Sequence, residues 1–97
     1  MEFKELAKKR NKERNGWNEK TLERMIPKIL EEGITLGQTK GRLHKWMSSL
    51  YDNYRKKGKH IRLYGDKAYV FVNGSLVTIL QIPANLTKDM DKFIRKD

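Results

Sequence analysis

Asn73-Gly74 constrains this chain more than any other pair of residues. A type I′ turn needs positive φ at both central positions, and Asn-Gly meets that need with the least strain, here between two runs of β-branched and aromatic residues. Gly65-Asp66 is a second, weaker signal of the same kind. Together they divide residues 59–82 into three strands of an antiparallel meander. Two-residue turns also set the register, so that Val72 faces Ser75 and Tyr64 faces Lys67.

Strand alternation then predicts two faces. One carries Ile61, Leu63, Ala68, Val70, Val72, Val77 and Ile79, an aliphatic layer that must be buried under helices. The other carries His60, Arg62, Tyr64, Lys67, Tyr69, Phe71, Leu76, Thr78 and Leu80 and is expected to stay open to solvent. In this register Arg62, Tyr69 and Thr78 form one cross-strand row, with His60, Phe71 and Leu76 in the next. Cross-strand neighbours lie about 5 Å apart, so a guanidinium, a phenol and a hydroxyl would bear on one phosphate.

Helical spacing accounts for much of the rest. Leu43, Trp46, Met47, Leu50 and Tyr54 make one apolar stripe, which predicts a helix with Arg42, Lys45, Ser48, Ser49, Asp52 and Lys56 on its far side. Leu22, Met25, Ile26, Ile29 and Leu30 make another, stopped by Gly33. Pro27 lies within it, so that helix either kinks or begins there as a first-turn residue. Residues 1–16 read as a charged helix, frayed unless a partner holds it, with only Phe3, Leu6 and Ala7 to dock it and Asn15-Gly16 to end it. The segment 33–39 is a loop in which Thr39 caps the next helix, and Thr87 caps a short final helix that packs Met90, Phe93 and Ile94 inward. The predicted architecture is a single α+β domain over residues 1–97, with N-terminal helices packed on one face of a three- to four-stranded meander.

Charge narrows the partner. The formal net charge is +10, and residues 40–67 contribute +7 of it, which favours an anionic partner, nucleic acid first. The expected contacts are Arg24, Arg42, Lys45, Arg55, Lys56, Lys57, Lys59 and Lys67, with Tyr64 as a stacking platform. With no cysteine and two histidines there is no disulfide framework and no zinc-site spacing, so neither a metal nor a cofactor is expected. The N-terminus lacks the apolar core of a secretory signal and no run is long enough to span a membrane, which points to an intracellular location. Glycine-rich phosphate loops, paired carboxylate motifs and ribonucleoprotein aromatic motifs are absent as well.

The order of elements, with "LERMIPKILEEGIT" and "IRLYGDKAYVFVNGSLVTIL", resembles the barnase, EndoU, colicin and RelE-like superfamily of small metal-independent ribonucleases. That resemblance implies phosphate or transition-state contacts at Arg24, Arg62 and Thr78. His60 is the acid or base that neutral-pH chemistry suggests, with Tyr69 or a lysine as its second group. Relatives carry a histidine at the start of the arginine-containing helix, where this chain reads "NEKTLERM". His44 does not replace it, because it stands beside an apolar stripe where a packing role is expected. Three readings follow: an endoribonuclease, toxin-like and paired with an antitoxin; a noncatalytic nucleic-acid-binding or regulatory module; and a phage-type inhibitor that occupies an acidic groove of a host factor.

Overall fold

The computed structural model describes residues 5–53 and 58–90. Helices α1 (Glu5–Arg14), α2 (Glu19–Glu32) and α3 (Gly41–Asn53) precede strands β1 (Lys59–Tyr64), β2 (Lys67–Val72) and β3 (Ser75–Gln81), and helix α4 (Ala84–Met90) closes the order. The class is α+β, with a three-stranded antiparallel sheet in the order β1-β2-β3.

Both hairpins form where the sequence places them. Tyr64 pairs with Lys67 and Val72 with Ser75, and the β1–β2 register runs unbroken from His60↔Phe71 through Arg62↔Tyr69. Asn73 takes φ 51° and Gly74 82°, the positive pair that the turn requires. The β2–β3 ladder does not stay in register. Phe71 pairs with Leu76, but Val70 pairs with Thr78 and Tyr69 with Ile79, so Val77 is an extra residue and forms a β-bulge.

That one residue reverses the faces beyond it. Thr78 and Leu80 move to the side of Val70 and Ala68, and Ile79 moves to the side of Tyr69 and Phe71. The expected row of Arg62, Tyr69 and Thr78 is therefore corrected to Arg62, Tyr69 and Ile79. The reversal is tolerated because Leu76, Val77, Ile79 and Leu80 offer apolar side chains to either face, and a strand covered on both sides gains little from strict alternation.

The sheet is covered on both sides, which corrects the expectation of an open face. Leu43, Met47 and Leu50 of α3, Leu86 of α4, and Ile34 and Ile82 pack with Ile61, Leu63, Ala68 and Val70. Ala7 of α1 and Leu22, Ile26 and Ile29 of α2 pack with Tyr69, Phe71, Leu76 and Ile79. The sheet aromatics are core. They sort this way because a mixed face carrying Tyr69, Phe71 and Leu76 still offers enough apolar area to attract a helix.

Local signals explain most element ends. Asn18 caps α2, its Oδ1 accepting from the Thr21 amide at 2.8 Å, and the helix runs through Pro27 without ending. Thr39 does not cap α3; its hydroxyl turns back to the Leu36 carbonyl at 2.7 Å, closing a 3-10 turn over Leu36–Gln38. Thr87 lies inside α4, which starts earlier because the Pro83 carbonyl accepts from the amides of Leu86 and Thr87. Phe3, Tyr54, Phe93 and Ile94 lie outside the described residues.

Both outer edges of the sheet are occupied. On β1, Leu63 exchanges two backbone hydrogen bonds with Ile34, and the Ile61 amide donates to the Tyr51 hydroxyl at 3.0 Å. On β3, the Ile79 carbonyl accepts from Arg14 Nε at 2.8 Å, and α1 lies against the strand. Each edge group tied in this way is withdrawn from pairing with another chain.

Candidate nucleic-acid interface

β1 determines what is left of the expected site. Its alternation turns His60, Arg62 and Tyr64 toward the α2 side, about 7 Å between successive members. His60 is exposed at the start of the strand, Arg62 is half-buried, and Tyr64 packs on the core under α2. Arg62 lies against the end of α2, where Gly33 has an ordinary φ but no room for a side chain. A Cβ there would stand 2.8 Å from Arg62 Cβ and closer still to the Ile29 carbonyl. Glycine is thus required by close approach, and the Arg62 stem fills the space it leaves.

The Arg62 head is sparsely held. Nη1 donates to the Ile61 carbonyl at 3.3 Å, and Nε is buried with no hydrogen-bond partner among the described residues. An unpaired buried donor on a cation is costly, and groups of this kind in folded proteins call for an account of what meets them.

The remaining members of the expected catalytic set are not available. Tyr69 is 1 % exposed, and its hydroxyl accepts from Asn15 Nδ2 at 3.2 Å. Burial pushes its phenol above the ordinary value of 10, so it stays protonated and covered at neutral pH. Thr78 is also 1 % exposed and faces α3 and α4, on the opposite side of the sheet from Arg62. A single phosphate cannot touch Arg62, Tyr69 and Thr78 together.

Of the nine expected nucleic-acid contacts, those among the described residues are scattered. Arg24 and Lys45 are exposed, with no salt bridge among the described residues, but they lie on α2 and α3, on opposite faces of the sheet. Arg42 pairs with Asp89 at 3.1 and 3.2 Å and with the Asn85 carbonyl at 3.1 Å, tying α3 to α4. Lys59 donates to the Tyr51 carbonyl with its ammonium over the Tyr51 ring, and Lys67 is buried in an ion pair with Asp66 at 2.7 Å. Arg55, Lys56 and Lys57 lie outside the described residues.

His44 lies in the first turn of α3 and reaches back to the loop before it. The Thr39 hydroxyl proton goes to the Leu36 carbonyl, so His44 Nδ1, 3.2 Å from Thr39 Oγ1, must be the donor of that contact. Beside Arg24 the structure adds two cations that sequence reasoning passed over, Lys20 and Lys28, and the three are exposed at successive four-residue steps along α2. Their spacing was legible, but the alternating glutamates hid it. Among the described residues no group of three or more His, Asp or Glu is placed to hold a metal ion, and no helix is long and apolar enough to cross a membrane. No protein-family model, curated protein or solved structure matches the chain.

Proposed function

We propose that the protein is a noncatalytic RNA-binding module that takes phosphate at β1 through Arg62 and His60. The observation that carries this reading is the Arg62 guanidinium, a partly buried cation whose Nε has no partner among the described residues, two residues from an exposed imidazole. Because Nε is buried, a phosphate would meet the part of the Arg62 side chain that reaches solvent, and the net charge of +10 would draw the strand to it. RNA is preferred as the anion because the resemblance to small ribonucleases names that substrate class. Cleavage is left out because it needs a second proton-transfer group at the same phosphate, and of those expected for that role Tyr69 is buried and Lys67 is held in its ion pair with Asp66.

The test is fluorescence anisotropy with labelled single-stranded RNA and duplex DNA at two salt concentrations, with the same mixtures run on a denaturing gel. Salt-sensitive RNA binding with intact RNA is expected. Arg62→Met keeps a stem of similar length against Gly33 and removes the charge, so RNA affinity should fall about tenfold and the salt dependence should flatten by about one counterion. Cut RNA would restore the nuclease reading, and tighter binding to duplex DNA would replace the ligand. No binding to either would leave an acidic protein groove as the partner.

A further inference from the structure

Helix α1 is poorly able to stand alone. Its described residues, "ELAKKRNKER", are polar but for Leu6 and Ala7, and a helix with so narrow an apolar stripe holds poorly in water without a partner surface. Ala7 is the only apolar side chain it buries among the described residues, while its Leu6 is 44 % exposed. By contrast α2 buries Leu22, Ile26 and Ile29.

The side of α1 turned to the molecule is Ala7, Asn11 and Arg14, continued by Asn15, and three of these four are polar. Their contacts are hydrogen bonds: Arg14 Nε to the Ile79 carbonyl at 2.8 Å, Asn15 Nδ2 to the Tyr69 hydroxyl at 3.2 Å, and Asn11 Nδ2 to the Trp17 carbonyl at 2.7 Å. Beneath them lie Tyr69, Phe71, Leu76 and Ile79. A cleft lined by Lys8, Lys12, Trp17 and Glu19 separates α1 from the start of α2, bridged by the Lys8–Glu19 pair at 3.7 Å.

We infer that α1 is a hydrogen-bonded strap that opens as a unit while the sheet, α2 and α3 stay folded. Among the described residues, opening frees one alanine methyl, uncovers part of the apolar layer beneath it and exchanges a few polar contacts for water, whereas freeing β2 would expose Tyr69, Val70 and Phe71 together and break both strand ladders. With the strap open, the Ile79 carbonyl and the Tyr69 hydroxyl become accessible. The inference stands apart from the RNA reading, since it needs no ligand.

The chain has no cysteine, so one introduced thiol is a clean probe. Ala7 and Ala68 are both 0 % exposed, the first on the strap and the second at the sheet centre facing α3. Under native conditions the thiol of Ala7→Cys should react with an aromatic disulfide reagent at least about a hundredfold faster than that of Ala68→Cys. Adding Arg14→Ala should speed the first about tenfold and leave the second unchanged. Equal rates at the two positions would overturn the inference. Hydrogen exchange read by mass spectrometry on the unaltered protein gives the same decision if Ala7→Cys does not fold. Exchange of α1 amides ahead of a protected β2 supports the strap, and exchange of the two in concert rejects it.

Discussion

Arg62 is held by its stem rather than by its head. The methylenes pack over Gly33 and the guanidinium is left to find its own partner, so stability and charge are separable at this position. Gly33→Ala should cost about 1–3 kcal/mol in urea unfolding, because a Cβ meets both the Arg62 stem and a helix carbonyl that cannot move aside. Tyr69 supplies a pH dependence whose sign follows from its burial. The folded phenol titrates above 10, so its contribution is intact below 10 and is lost as pH rises further, when the unfolded chain releases a proton that the folded chain retains. Tyr69→Phe should flatten the alkaline fall of stability measured by denaturant unfolding between about pH 10 and 12, with little change in slope below pH 9.

At the scale of elements, the third strand decides which residues meet. The bulge at Val77 lets Ile79 join the aromatic layer under α1 and α2 while Thr78 turns toward α3. Deleting Val77 would remove the bulge yet keep Thr78 opposite Val70 and Ile79 opposite Tyr69, so every other side chain stays on its present face. We expect a modest loss of about 1–2 kcal/mol, seen as a retained but somewhat earlier thermal transition by circular dichroism, and a lost transition would show that the bulge itself is needed. The two hairpins and the stripes of α2 and α3 were legible because each rests on a strong local rule: positive φ at Asn-Gly, or apolar residues at helical spacing. The bulge was not, since "LVTIL" is apolar enough to satisfy two registers. Nor was the docking of α1, because a face made of Asn11, Arg14 and Asn15 carries no hydrophobic pattern and acquires its meaning only from the carbonyl and hydroxyl opposite it. Of the expected site, the pairing of Arg62 with Tyr69 was readable from a turn, whereas the cover over Tyr69 depended on helices distant in sequence.

At the scale of the whole molecule, the sheet is protected asymmetrically. The outer side of β1 is closed by a backbone bridge to Ile34 and by the Tyr51 hydroxyl, groups belonging to well-packed parts of the fold. The outer side of β3 depends on a polar helix and one guanidinium. The consequence concerns solubility. A chain shortened to begin at Asn15 would keep its central hairpins yet present an unpaired strand edge flanked by Leu76 and Ile79, the kind of template on which further copies stack. It would also carry less repulsive charge, since residues 5–14 hold five basic side chains against two acidic ones. Light scattering at rising concentration should show the shortened chain assembling while the full one stays dispersed. The charged N-terminal helix would then act as a guard against self-association, keeping an aggregation-competent strand out of contact with its neighbours.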